Sequence, residues 1–231
     1  MSKISLEYEA LLVSFFFYFL VLLKIFILKK FQKIRDNHKL LMILGPSGSG
    51  KDTLMNLLKD KHPDKFIKCI SYTTRSPRKD EKQGQNYYYI SKENFKKLDS
   101  EHKIIGKFEK YGNFYGTSID LINENIKKYK DKIIYFDYNI ETAIKTLEIQ
   151  SLKFNYIAIV PPNIKELEKR LIGRKSETKD SLLQRINYAK KELEMIDKAN
   201  FLNYTIKNIN KDEAFLQFES CLSKLYPEIL K

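Results

Sequence analysis

Short apolar runs alternate with longer amphipathic ones along most of this chain. Lys39–Leu44, Phe66–Ile70, Lys132–Asp137, Tyr156–Val160 and Tyr204–Lys207 are four to six residues long and rich in Ile, Leu, Phe and Tyr. Runs of that length and composition read as buried strands. Between and after them, Lys51–Lys61, Ser118–Tyr129, Glu141–Ile149, Asn163–Arg174, Leu182–Ala199 and Lys211–Leu225 place apolar residues at helical spacing. Ser118 and Asn163 stand where N-caps are expected, and Pro161-Pro162 stops the strand before Asn163. Strand–helix alternation predicts a parallel sheet, here of five strands, covered by helices on both faces. Residues 71–117 break the rhythm. They are rich in Tyr, Gly and polar residues, with β-like pieces at Tyr87–Ile90 and Ile104–Phe108, and read as a small β-rich insert that carries ligand contacts.

The first 38 residues follow neither pattern. Ala10–Leu28, ALLVSFFFYFLVLLKIFIL, is apolar on every helical face and about long enough to span a bilayer. Its one charge, Lys24, lies near the end, where it can snorkel to the interface. Lys29, Lys30, Lys33 and Arg35 follow the run and Glu7 and Glu9 precede it, which places the C-terminal part in the cytoplasm. The leading region is not basic and no small-x-small site follows, so a cleaved signal peptide is disfavoured. The expected organisation is a tail (1–9), a single transmembrane helix (10–28), a basic linker (29–38) and one α/β domain (39–231). The alternatives are a buried core helix, or a mistaken translation start ahead of a cytoplasmic protein.

Charge adds a ligand class. The chain has a net charge of +13, which suits polyanionic ligands and an anionic membrane face. Lysines are spread throughout, and no basic block with interleaved aromatics stands out, so nucleic acid is not an expected partner and no protein partner can be read. The only cysteines, Cys69 and Cys221, lack metal or redox spacing and point to a reducing compartment.

The chemistry begins at Gly45-Pro46-Ser47-Gly48-Ser49-Gly50-Lys51-Asp52-Thr53, between the first strand and the first helix. G-x-x-x-x-G-K in that context is a phosphate-binding loop: backbone N–H groups turn inward around the anion, the helix N-terminus adds positive charge, and Lys51 reaches the outer phosphates. Asp52 stands where Ser or Thr usually holds Mg²⁺; as a hard oxygen ligand it is the candidate metal residue. Downstream, Ser71-Tyr-Thr-Thr-Arg75-Ser-Pro-Arg78 sets two guanidinium groups around a rigid proline, a phosphate clamp. Tyr87 and Tyr115 each follow a glycine turn and offer phenol donors.

GPSGSGK, SYTTRSPR, the E-x-x-G-x-x-Y run (Glu81, Gly84, Tyr87), GNFYGT, VPPNIKELEKRLIGR and QRINYAKKELE resemble the guanylate kinase family in order and spacing over roughly residues 39–220. The resemblance implies the P-loop nucleoside monophosphate kinase fold with a monophosphate-binding insert (71–117) and a lid (173–184), and transfer of the ATP γ-phosphoryl group to GMP or dGMP with Mg²⁺. It implies that Ser71, Arg75, Arg78, Tyr87 and Tyr115 bind the acceptor phosphate, that Thr117 and Asp137 face guanine, and that Lys51 bridges the transferring group. Arg170, Arg174 and Arg185 match lid and flank arginines that embrace the ATP phosphates, and Asn208 an asparagine near adenine. Lys51, Arg75, Arg170, Arg174 and Arg185 are thus the expected catalytic set. The polar stretch Lys175–Asp180 reads as a mobile lid that excludes water during transfer.

The pattern breaks at the base. Counting back six residues from Gly112 lands on Gly106, where the family has a glutamate that accepts from the guanine edge. Glu109 lies three residues further on, on the opposite face of a strand unless a bulge intervenes. Tyr135 stands at the first position of the family's Asp-x-Asp, Asp137 at the second, and Asn139-Ile140 replaces Gln-Gly. Phosphate recognition is complete and base recognition thinned, so a weakened base preference is expected. Two other readings stay open: a ribose-bisphosphate-type sugar-phosphate kinase, which shares the Asp after the loop lysine, and a non-catalytic guanylate-kinase-like binding module.

Overall fold

A computed structural model describes residues 39–78, 80–110, 112–149, 152–173 and 179–230. The expected tail, membrane anchor and linker, and Arg174 in the expected lid, lie outside the described residues. Among the described residues no helix is long and apolar enough to cross a membrane.

In chain order the elements are β1 (Leu40–Leu44), α1 (Lys51–Lys61), β2 (Phe66–Lys68), β3 (Tyr72–Thr73), β4 (Tyr88–Tyr89), α2 (Lys92–Ser100), β5 (Ile104–Lys110), β6 (Asn113–Ser118), α3 (Ile119–Lys128), β7 (Ile133–Asp137), α4 (Ile140–Leu147), β8 (Phe154–Val160), α5 (Ile164–Ile172), α6 (Lys179–Asp197), β9 (Tyr204–Lys207) and α7 (Lys211–Leu225). Five strands form one sheet in the order β2-β7-β1-β8-β9, and every neighbouring pair is parallel. All five residues of β1 are buried, as a central strand covered on both faces requires. The expected α/β class and five-stranded parallel core hold, and Lys51–Lys61 and Lys211–Leu225 form helices over the spans their periodicity predicts.

The capping residues explain where helices start. Side-chain oxygens of Ser91, Ser118, Asn139, Asn163 and Asn210 accept first-turn N–H groups of α2, α3, α4, α5 and α7. On one face of the sheet, Leu41 and Ile43 of β1 pack with Leu54 and Leu58 of α1 and Phe218 and Leu222 of α7. Burial of each such side chain contributes about 1.5–3 kcal/mol. Tyr226, fully buried just past α7, donates its hydroxyl to Leu40 O at 3.0 Å and ties the chain end to β1.

The insert forms its own four-stranded sheet, β4-β3-β6-β5. Three of its elements carry no mark in the sequence; β3, at two residues, is too short to show a strand pattern. Helix α2 buries only Phe95, too little to leave a periodic signal, and β6, NFYGTS, reads as a glycine turn. The β5–β6 register slips by one residue between Ile105 and Phe108: Ile105 faces Thr117, but Phe108 faces Tyr115. Gly106 takes φ +61° within this bulge.

At the end of α1, Lys61 Nζ donates to Glu219 Oε2 at 2.8 Å, and His62 Nε2 lies 2.6 Å from Glu219 Oε1. Burial pushes the Glu219 carboxyl up, but the bonds from Lys61 and His62 outweigh it and hold the group below the usual carboxylate range. A depressed carboxyl contributes stability that is present above its unfolded value, about pH 4.3, and is lost as pH falls through the folded one. Glu219→Gln is therefore expected to cost about 0.2–1 kcal/mol at pH 7 and to flatten the acid limb of a plot of Tm against pH. Parallel acid limbs for the two proteins would contradict this role.

Candidate functional site

The loop between β1 and α1 is built to hold an anion. Gly50 caps α1 in the left-handed region (φ +99°) and offers no side-chain acceptor, unlike the five capped helices above. The first-turn N–H groups of α1 are left for a ligand, and the helix dipole adds positive potential. A Cβ on Gly45 would lie 2.1 Å from Ile159 O, and one on Gly50 2.2 Å from Asn208 Nδ2, so neighbouring strands hold the loop at a spacing only glycine allows. Ser49 Oγ is fully buried and has no hydrogen-bond partner among the described residues. Such a group costs about 1–3 kcal/mol unless something satisfies it.

Lys51 folds back over this loop. Its Nζ donates to Gly45 O at 2.6 Å and lies 3.7 Å from Asp137 Oδ1, at the C-terminal end of β7. Asp52 and Thr53 present exposed oxygen side chains to the same cleft. Asn208 and Arg170 do not line it. Asn208 Nδ2 donates to Ser49 O at 2.8 Å, and Arg170 donates to Asn208 O at 3.1 Å and to Glu166 Oε1 at 3.2 Å. These two residues brace the loop.

Across the cleft, Glu81 gathers Arg75. It accepts from Arg75 Nη2 and Tyr89 Oη, each at 2.9 Å, and from the Arg78 N–H at 2.8 Å. Burial works against the Glu81 charge, yet these donors hold its carboxyl below the usual range. Burial likewise opposes the Arg75 charge, and its bonds to Glu81 and Tyr115 raise it instead. The guanidinium carbon sits 5.7 Å from the Tyr87 ring centre and 5.9 Å from that of Tyr89. Burial, then the nearby Asp137 and Tyr115, push the Tyr87 phenol up to about 12, so it remains a donor at neutral pH.

Loop and clamp face one cleft of about 470 Å³. Pro46, Ser47, Gly48 and Lys51 line it with Arg75, Arg78, Tyr87, Tyr115 and Asp137. Arg185 joins them from α6, with Nη1 3.4 Å from Ser47 Oγ. Tyr188 and Glu192 follow on the same helical face and also line the cleft. Neither stands out within QRINYAKKELE, although their spacing from Arg185 marks the shared face.

The remaining expected residues meet at one end. Ser71 Oγ lies 2.7 Å from Thr117 Oγ1, and both bond Tyr138 Oη, Ser71 at 3.4 Å and Thr117 more closely. Ser71, Asp137 and Tyr138 border a recess of about 40 Å³ beside the main cleft. Phe108 stacks on Tyr115, ring centres 4.9 Å apart. The bulge exists but does not restore Glu109: Phe108 joins the Tyr115 face, and Glu109, itself exposed, pairs with Phe114 on the other. Tyr135 packs in the core with Lys59 over its ring, clear of the cleft. Phe108 and Tyr138 were missed because neither residue type marks chemistry by itself.

Comparison with known proteins places this arrangement. A family model described as guanylate kinase matches residues 37–225. A guanylate kinase of Clostridium perfringens (strain SM101) is 38% identical over 193 residues, covering 83% of this chain and 86% of that protein. One of Schizosaccharomyces pombe is 38% identical, covering 80% and 91%. The crystal structure of guanylate kinase from Anaplasma phagocytophilum superposes with a TM-score of 0.58 at 26% identity, covering 83% of this chain and 86% of that one.

The glycine geometry has a direct test. Gly50→Ala forces a Cβ into Asn208 at an unfavourable φ, so affinity for inorganic triphosphate, measured by calorimetry, is expected to fall more than about tenfold. Unchanged affinity would show that the loop does not hold the anion.

Proposed function

The chain belongs to the guanylate kinase family, and we infer that it transfers the γ-phosphoryl group of ATP to GMP, giving ADP and GDP. The observation that carries this is the single cleft in which an uncapped, lysine-bearing loop faces the Arg75–Glu81–Tyr115 clamp. Phosphoryl transfer asks little covalent chemistry of a protein and much alignment. An oxygen of the GMP phosphate forms the new bond to the γ-phosphorus while the bond from that phosphorus to the β–γ bridging oxygen breaks, and ADP leaves. The loop amides and Lys51 hold the donor phosphates. Arg75, Arg78, Tyr87 and Tyr115 hold the acceptor phosphate, with Ser71, Thr117 and Asp137 toward the base. Arg185, and Arg174 eleven residues ahead of it, supply further charge to the donor phosphates, while Arg170 and Asn208 act through the loop they brace.

Mg²⁺ fits the donor side. Asp52 and Thr53 are exposed hard oxygen donors on the first turn after Lys51, and Mg²⁺ is commonly held by one or two carboxylates, substrate phosphates and water. The ion would neutralise charge on the β- and γ-phosphate oxygens.

Coupled ADP-release measurements test the reading. GMP-dependent ADP formation is expected with ATP and Mg²⁺, Lys51→Met should lower kcat by about a hundredfold or more, and Asp52→Asn should raise the Mg²⁺ needed for half-maximal rate. Nucleotide binding with no turnover of GMP would instead favour a non-catalytic module.

The length and apolarity of residues 10–28 support tethering of this kinase to a membrane, with the nucleotide site on the basic, cytoplasmic side. Full-length protein is then expected in the membrane fraction of expressing cells, and a chain lacking residues 1–35 in the supernatant. Recovery of both in the supernatant would remove the anchor.

A further inference from the structure

We propose that Tyr138 sets the base preference of this enzyme, presenting a neutral hydroxyl cluster to the base edge, so that purine monophosphates with and without a 2-amino group bind almost equally. The inference rests on the reading of the acceptor subsite given above.

Three observations converge on this residue. Tyr138 follows the last residue of β7 and is 6% exposed, and its ring runs beneath the β5 bulge. A Cβ on Gly106 would lie 3.2 Å from Tyr138 Cε2 and 2.6 Å from Thr142 Cγ2, so β5 has no room for a side chain where the Tyr138 ring passes. The phenol oxygen then reaches Thr117 and Ser71, two residues of the acceptor side. Beyond the bulge, the residue turned toward Tyr115 is Phe108, and the carboxylate of Glu109 faces away. The floor at this end thus carries Ser71 and Tyr138, with the buried Thr117 hydroxyl bonded to both from behind, and is walled by an aromatic stack. Its recess of about 40 Å³ has room for little more than one water, so a purine ring stops at the hydroxyls with its edge against them.

The chemistry of that floor limits discrimination. Burial pushes the Tyr138 phenol well above its ordinary range despite the bonds from Ser71 and Thr117, so it stays protonated. Hydroxyls rotate, and each can donate or accept. The cluster therefore meets the amino group of a 2-aminopurine, or its absence, at similar cost. Of the carboxylates among the described residues, only Asp137 borders this recess, and Lys51 Nζ stands 3.7 Å from it. Strong rejection of an analogue requires buried polar groups that are left unpaired when it binds, and a self-bonded hydroxyl trio leaves few.

Calorimetric titration with GMP, IMP and the base-free probe ribose 5-phosphate tests this without relying on turnover. GMP and IMP are expected to bind within about tenfold of one another. A GMP preference above about a hundredfold overturns the proposal, as does the absence of measurable GMP binding. Tyr138→Phe keeps the ring and removes the hydroxyl. It is expected to weaken GMP and IMP about five- to tenfold while leaving ribose 5-phosphate unchanged. Equal loss for all three probes would mark Tyr138 as merely structural, and no loss for GMP would remove it from the base site. Turnover of GMP measured alongside separates the two questions: a protein that phosphorylates GMP but strongly rejects IMP keeps its kinase assignment and loses this inference.

Discussion

Concentrating positive charge in one cleft is the constraint on which the rest of this structure depends. Lys51, Arg75, Arg78 and Arg185 line the same cavity beside the positive end of α1. Left alone, such groups repel one another and splay into solvent. The fold answers with carboxylates placed behind the cations. Glu81 holds Arg75 through a bond that both groups favour over their ordinary titration, and Asp137 stands next to Lys51. Arg75 and Lys51 are thereby held in place facing the cleft, at a lower entropic cost on binding an anion than a free side chain would carry.

The two layers of the domain divide this work. The parallel sheet, buried on both faces, fixes the glycine loop at the end of β1, with β8 crowding Gly45 and Asn208 crowding Gly50. No loop relaxation is available there, because the contacts are to backbone or to a side chain bonded in place. The insert has two strands of only two residues, β3 and β4, and fewer buried side chains, and in its sheet Tyr72–Thr73 links β4 to β6. Its rigidity comes instead from aromatic contacts around the clamp, Tyr87 against Tyr115 and Phe108 against Tyr115. A dense core holds the glycine loop, and a polar, aromatic layer shapes the opposite wall of the cleft.

The base end shows how one backbone irregularity redirects a site. One extra residue between Ile105 and Phe108 exchanges which side chains of β5 face inward. Glu109 faces out, the Phe108 ring faces in, and Gly106 yields its space to a tyrosine arriving from β7. The surface at this end carries hydroxyls and an aromatic ring, with Glu109 outside it.

Much of this was legible in the chain itself. The phosphate loop, the five core strands and the arginine pair are set by local rules: glycine where φ is positive, apolar runs where both faces are buried, and guanidinium groups at fixed spacing around a proline. Those rules act within a few residues, so the order of residues alone determines them. The surroundings of Arg170, Asn208, Phe108 and Tyr138 were decided only by the tertiary structure. Whether Arg170 and Asn208 reach a ligand or brace a loop depends on β9 lying beside β8. Whether Phe108 or Glu109 faces the cleft depends on a one-residue register slip between paired strands. Contacts between residues distant in the chain are settled by packing, and no pattern along the chain records which neighbour packing will supply.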